Sequence, residues 1–557
     1  LKKPSRIYVA GTGRELLSEE DWQDSLKDDV VLLVSAGEEY VGLRKEGGKT
    51  HGESYLILLH TQCPTDIAEG RPANPLGAQQ GISNGITTSS RRICKLTLSV
   101  ADVNPDCPTV ILAQEAPCED VAVTQLKTTA HTLAGIVHAV GQPDLCPGTK
   151  YPVGACFASR KWIHPPLIGS DIGCGMAWFK TTLSRNQVDG DKGKKIAEKL
   201  RGLEGPWHTQ TEREHWLQDD AGSCSAGEEW DRSLGTIGAG NHFAEIQVVE
   251  SLSISVDDSL GLRPNDVVLL VHSGSRGYGG SILKKYTSEA HVSLAEGTSE
   301  MEEYMRDHDQ ALRWAKANRD LIALRFLSCL EPGEEAWELG EKGANTGGNS
   351  IGDEHAISMA RAKIQDRKVI DIWHNNLERV KWPPSRPPTS DTAASDLEQK
   401  TSNLSIGKQK DEQEYVYVHR KGAAPTYDPR TQLPLPILPL PGSRGTPTLM
   451  LKPIFSEENA WGLKNALSLA HGSGRSMSRA KALASLSQKY RNQNILEPRA
   501  GDGTWVVCDE KDLVFEEAPD AYKNVYSVSA DLVREGLAEV VGLCMPRVSY
   551  KVRSEAR

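Results

Sequence analysis

Residues 267–274 read Val-Val-Leu-Leu-Val-His-Ser-Gly. A run of apolar β-formers that stops at an imidazole and then a glycine is a buried strand handing a polar side chain to a turn. Phe243–Val249 is a second strand-like run, and it begins directly after Asn241 and His242. Short β runs that each deliver a ligand-type residue to one place suit an α+β fold, with a mixed sheet or sandwich core and surrounding helices. One such helix is predicted from Glu302 to about Leu330, where helix formers are dense and Met305, Leu312, Ala315, Leu321, Ile322 and Leu324 supply an apolar face.

Working outward, Gly-punctuated motifs recur along the C-terminal two thirds: Ser-Asp-Ile-Gly-Cys-Gly at 170–175, Gly-Ala-Gly-Asn-His-Phe at 238–243, His-Ser-Gly-Ser-Arg-Gly at 272–277, His-Asn-Asn at 374–376, His-Arg-Lys-Gly-Ala at 419–423 and His-Gly-Ser-Gly-Arg at 471–475. Together they offer a carboxylate, a thiol and several imidazoles beside glycines that admit close backbone approach, as a metal-dependent nucleotide site requires. Asp171 and Cys174 are close enough in sequence to turn toward one ion. A thiolate beside a divalent cation is deprotonated and can bridge two ions, while imidazoles complete the shells as neutral donors. Ligand softness alone favours zinc.

The order and context of Asp171, Cys174, His242, His272, His374 and His471 resemble the RtcB family, tRNA-splicing RNA ligases that join a 3'-phosphate or 2',3'-cyclic phosphate end to a 5'-hydroxyl. The likeness runs from about Val110 to about Val552 and includes Pro143-Asp144-Leu145, Pro441-Gly442-Ser443-Arg444-Gly445, Ala521–Asn524 and Val548–Lys551. It implies two manganese ions sharing Cys174, with Asp171, His242, His272 and His374 as the other protein ligands. It further implies GTP as cofactor and His471 as the nucleophile that takes up GMP, since a neutral imidazole can attack an α-phosphate to form a phosphoramidate. Gly472, Gly474 and Arg475 are expected to meet the charge that develops on phosphate. Guanine selection falls on Glu245, which can accept from N1–H and the 2-amino group, and on Lys551, which can donate to the acceptor edge. Asn241, Ser443 and Lys421 are expected as phosphate or ribose contacts. The implied partners are RNA with such ends and an archease-like activator. Cys146 stands where the family has His, and Ser473 and Arg444 stand at usually small or apolar positions. Two other readings stay open: a ligation-deficient RNA-binding or scaffold relative, and a phosphoesterase that only opens cyclic phosphates.

The chain of 557 residues is long enough for two or three domains, and no apolar run approaches the length needed to span a bilayer. Its opening residues, Leu1–Ser5, lead into no signal-type apolar core, and the missing initial Met leaves room for an upstream extension. Its 11 cysteines are odd in number, irregularly spaced and without a Cys-x-x-Cys pair, which argues for reduced thiols and a cytoplasmic or nuclear setting. A formal net charge of −11 argues against non-specific coating of nucleic acid but leaves room for a local basic groove around Arg420, Lys421, Arg475, Arg479, Lys481, Lys489 and Arg491. Residues 1–63 read as a small α/β unit of unassigned role, with strands at Arg6–Ala10, Val30–Ser35 and Tyr55–His60 and a helix at Ser18–Lys27. Residues 64–93 read as a linker and 94–557 as the catalytic domain. Within that domain, 383–413 is too polar and Pro-rich to bury a core and reads as a disordered insertion.

Overall fold

The computed structural model describes residues 102–552 apart from 254–259, 288–292, 341–353, 388–413, 429–430, 432 and 499–502, together with three strands nearer the N-terminus. Those strands, β1 (Arg6–Val9), β2 (Val31–Ser35) and β3 (Leu59–His60), form an antiparallel sheet in the order β1-β2-β3. They belong to a compact unit spanning Leu1–Lys95, and Leu96–Arg557 forms the other. The expected helix at Ser18–Lys27, the linker at 64–93 and the 388–413 part of the insertion lie outside the described residues.

The second unit is mixed helix and sheet. Its smaller sheet contains β4 (Thr109–Ile111), β5 (Ile136–Cys146), β6 (Val153–Ser159), β11 (Asn375–Lys381) and β12 (Tyr415–Lys421), in the order β11-β12-β6-β5-β4. The larger sheet is built from β7 (Gly175–Ser184), β8 (Phe243–Leu252), β9 (Asp266–Ser273), β10 (Lys368–Trp373), β14 (Leu438–Pro441), β15 (Thr448–Pro453) and β18 (Ala538–Tyr550). Their order is β10-β7-β9-β8-β18-β15-β14, with β17 (Trp505–Val507) running parallel to β18. A short antiparallel pair, β13 (Ala423–Pro425) and β16 (Ser468–Ala470), stands apart from both.

Strand periodicity explains the uninterrupted apolar run at 267–271. Val268 and Leu270 share one core with Met176 and Trp178 of β7 and with Val140, Cys156, Ala158, Val416 and Val418 of the smaller sheet. Val267, Leu269 and Val271 point the other way, into a core shared with Trp314, Leu321 and Ile322. With both faces buried, positions 267–271 are apolar without a break. The outer face of the smaller sheet is covered by α1 (Asp120–Thr132), whose Ala122, Leu126 and Ala130 meet Ile136, Ala139 and Phe157.

The outer face of the larger sheet is covered by α2 (Ser299–Leu330) and α3 (Glu354–Arg367). Helix α2 starts a little earlier than the sequence suggests, because the Thr298 hydroxyl accepts from the Met301 amide and caps it. It ends where Pro332 and Gly333 follow. Along its second half burial is nearly continuous, from Asn318 to Ser328, so polar residues there face protein rather than water. Among the described residues, no helix is long and apolar enough to cross a membrane.

Trp314 ties α2 to the sheet. It is fully buried, and its Nε1 donates to Asp231 at 2.9 Å. Trp314→Ala is expected to lower unfolding free energy by about 3–5 kcal/mol, read as a shifted urea midpoint at unchanged slope.

Candidate metal centre and nucleotide pocket

The ends of four strands line up at one edge of the inter-sheet core. Met176 and Phe243 both pair with His272, and Trp373 pairs with Gly175. His272 shares the parity of Val268 and Leu270 and so faces the smaller sheet. His374 sits where the chain leaves β10 of the larger sheet and enters β11 of the smaller one, and its amide donates to the Cys174 carbonyl at 2.8 Å. Gly173, at φ +73°, lets this turn pass against α2: a Cβ there would come 2.8 Å from the Ala315 Cβ.

Side chains from these ends converge. Asp171 Oδ2 is 2.7 Å from His242 Nε2. Cys174 Sγ is 3.3 Å from the Nε2 atoms of both His242 and His272. The Nε2 atoms of His272 and His374 are 3.0 Å apart. Two donor sets share the thiol: Asp171, Cys174 and His242, and Cys174, His272 and His374, with the ligand atoms of each set within 4.8 Å of one another. His242 Nδ1 donates to the Ile237 carbonyl at 3.1 Å, which turns Nε2 toward Asp171 and Cys174. Burial, and then the neighbouring imidazoles, hold His272 and His374 well below the usual histidine range, so both rings are neutral donors. Burial and the Asp171 carboxylate push the Cys174 thiol well up. Burial also works against ionised Asp171, but the His242 ring and the Arg276 amide outweigh it and hold the carboxyl below its usual range. A thiol in such a place ionises when a cation joins it, and this set of carboxylate, thiol and imidazoles fits a divalent-cation site.

Behind this cluster, consecutive residues of α2 hold the backbone. Arg319, fully buried, donates through Nη1 to the carbonyls of Gly173 at 2.8 Å and Ser273 at 3.0 Å, while its Nε holds Asp371 at 2.9 Å. Asn318 accepts from the Gly235 amide at 2.7 Å and donates to Ser273 Oγ at 3.1 Å. The turns before Cys174, after His272 and ahead of His242 are thereby pinned to one helix.

His471 follows β16, and its Nδ1 lies 2.8 Å from Asp144 Oδ2 on β5. The ring stacks 4.4 Å from that of His374, centroid to centroid, at 35°. With Nδ1–H donated to a buried carboxylate, Nε2 is the nitrogen left for chemistry. Gly474, at φ +67°, lets this loop lie against the Asp144 carbonyl, where a Cβ would collide.

A cavity of about 550 Å³ opens in front of both groups, and Asn241, Glu245, Lys421, Ser443, Gly472, Gly474, Arg475 and Lys551 all line it. Burial raises the Glu245 carboxyl to about 7. Lys551 Nζ donates to the His242 carbonyl at 3.1 Å and lies 3.4 Å from Glu517. Burial pulls its ammonium, and that of Lys421, below the usual lysine range.

The model of the RtcB family, described as tRNA-splicing ligase RtcB, matches residues 125–218, 203–338 and 399–552. The chain belongs to the RtcB family. It is 33% identical over 451 residues to the RNA-splicing ligase RtcB2 of Escherichia coli, covering 80% of this chain and 96% of that protein. The tRNA-splicing ligase RtcB of Aeropyrum pernix is 25% identical over 535 residues, 82% of this chain and 98% of that one. That of Methanopyrus kandleri is 27% identical over 363 residues, 59% of this chain and 31% of that one.

Not every basic residue of the motifs faces the cavity. Arg420 is fully buried, held by Glu378 at 2.6 Å and Ser468 at 2.8 Å, and so cannot serve RNA phosphates. Arg475 lines the cavity while its guanidinium is engaged by Glu517 at 3.0 Å, the Glu516 carbonyl at 2.7 Å and the Met477 carbonyl at 3.0 Å. Ser443 Oγ donates to the Glu517 carbonyl at 3.2 Å. Lys489 pairs with Asp520 on the surface. Cys146, in place of the family's histidine, lines the cavity, as do Ser473 and Arg444. Sequence reasoning assigned no role to Asp144, Glu517, Asn318 or Arg319. Only the Pro-Asp pair at 143–144 carried a signal for the first, and nothing local marks the others.

Arg319→Lys keeps the charge but loses the planar fork that joins the two carbonyls to Asp371. Divalent-cation affinity is expected to fall about tenfold, measured by isothermal titration calorimetry, with the far-UV circular dichroism unchanged. Unaltered affinity would mean that the ligand turns hold themselves.

Proposed function

We propose that this chain is an RNA ligase that uses GTP and manganese to join RNA 3'-phosphate or 2',3'-cyclic phosphate ends to 5'-hydroxyl ends through a His471–GMP intermediate. The observation that carries this reading is the His471–Asp144 pair at 2.8 Å, set beside two donor groups that share Cys174. The names of the relatives, RNA-splicing and tRNA-splicing ligases, point the same way.

In this reading His471 Nε2 forms a bond to the α-phosphorus of GTP and pyrophosphate leaves, while Nδ1–H stays donated to Asp144, which stabilises the positive charge growing on the ring. GMP then passes to the RNA 3'-phosphate, restoring the free imidazole, and the 5'-hydroxyl displaces GMP to close the phosphodiester. Asp171, Cys174, His242, His272 and His374 would hold two divalent ions, which supply positive charge to phosphate oxygens. Glu245 accepts from guanine N1–H and the 2-amino group, and Lys551 donates to the acceptor edge. Asn241, Ser443, Lys421 and the amides of Gly472 and Gly474 serve phosphate and ribose, and Arg475 adds positive potential while held by Glu517. Free cysteines throughout the described residues accord with a reducing, cytoplasmic or nuclear setting. An archease-like activator is the partner that this reading adds.

Incubation with radiolabelled GTP is expected to give an acid-labile, base-stable protein adduct. His471→Ala should abolish it at parental metal content, and persistent labelling would reject the nucleophile. Asp144→Asn should slow adduct formation about a hundredfold without changing metal content. Cys174→Ala should lose both ions, and an unchanged stoichiometry by elemental analysis would remove the bridging role.

A further inference from the structure

Glu245 does not stand alone in the pocket wall. Gln247, one step along β8 on the same face, is fully buried and lies outside the cavity lining, so it cannot touch a nucleotide. Its Nε2 donates to Glu245 Oε2 at 2.8 Å and to Thr448 Oγ1 at 2.8 Å. Its Oε1 accepts from Trp178 Nε1 at 3.1 Å. An amide can turn end for end, but an indole N–H can only donate. Trp178, itself fully buried, therefore faces the amide oxygen and forces the amide nitrogen toward the carboxylate. The three partners come from different strands, β7, β8 and β15, so the relay is anchored across the larger sheet. Ser549 is the cross-strand partner of Glu245 in the register with β18.

We infer that Gln247 is the positioning residue for base selection. It holds Glu245 in one orientation, with Oε2 kept as an acceptor, and its own orientation is dictated by Trp178, with Thr448 Oγ1 as the amide's second acceptor. The inference rests on the reading of Glu245 as the carboxylate that receives guanine N1–H and the 2-amino group. A carboxylate free to rotate, or turned to present a proton, would lose its preference for a base with donors at both positions over adenine, which offers an acceptor at N1.

The test is single-turnover adduct formation by the full chain with GTP, inosine triphosphate and ATP. Gln247→Met fills similar volume without a donor. Its GTP-over-ATP ratio is expected to narrow about tenfold, through a higher half-saturating GTP concentration rather than a lower limiting rate, at parental manganese content. Trp178→Phe, which frees the amide to flip, should narrow the ratio by about threefold. A purely structural loss would slow all three nucleotides alike and overturn the inference. If Gln247→Met does not fold, Thr448→Val removes one acceptor of the amide and carries the same expectation of a narrowed ratio. Glu245→Gln separates the two levels. If it narrows the ratio while the Gln247, Trp178 and Thr448 variants do not, Glu245 positions itself and the inference falls. If Glu245→Gln leaves the ratio unchanged, the reading of Glu245 falls and takes the inference with it.

Discussion

Asp171, Cys174, His242, His272 and His374 are crowded into one largely buried corner, and most of the chain's architecture serves that crowding. Removing a carboxylate, a thiol and several imidazoles from water costs free energy that their own hydrogen bonds do not recover. Two imidazole nitrogens 3.0 Å apart, on rings that are both buried, hold that arrangement only on a stiff frame. The frame is a sheet buried on both faces and a helix whose Asn318 and Arg319 grip the turns that bear the donors. This explains why the second half of α2 carries polar residues at buried positions. The Arg319 guanidinium is paired with Asp371 and with two carbonyls, which is the condition under which a buried charge is tolerated.

The two sheets divide the chemistry between them. The larger sheet presents the thiol, most of the metal donors and Glu245 from strand ends and neighbouring turns. The smaller sheet contributes Asp144 and Lys421, and the short β13–β16 pair leads into His471. His374 lies on the passage between the sheets and stacks on His471, so the nucleophile and the donor cluster meet where the two layers meet. Their relative placement depends on the apolar core between the sheets, to which Trp178, Leu270 and Val418 all belong.

Charge is also arranged by depth rather than by total. Arg319 and Arg420 are spent inside the molecule, and Glu517 at the pocket wall gathers Arg475, Arg479 and Lys551 around one carboxylate. Glu517 keeps its carboxyl below the usual range despite burial because three cations surround it. A net charge of −11 therefore says little about the local potential that a nucleotide would meet in the cavity.

Much of this was legible in the residues themselves. An unbroken apolar run from Val267 to Val271 has one stable use, a strand with protein on both sides, and the glycines beside Cys174, His242, His272 and His471 mark tight turns by backbone sterics alone. Those constraints are local, acting within a few bonds of the residue that shows them. Other features were decided only when distant segments met. Asp144 and His471 are 327 residues apart, Arg319 and Gly173 are 146 apart, and Gln247 and Thr448 are 201 apart. Whether an arginine turns outward like Arg479 or inward like Arg420 depends on which carboxylate the fold brings within reach. The sequence determined the strands, the turns and the chemical types available to the site. The tertiary structure decided which of those groups face one another, because hydrogen bonds and ion pairs act over a few ångströms of space and take no account of separation along the chain.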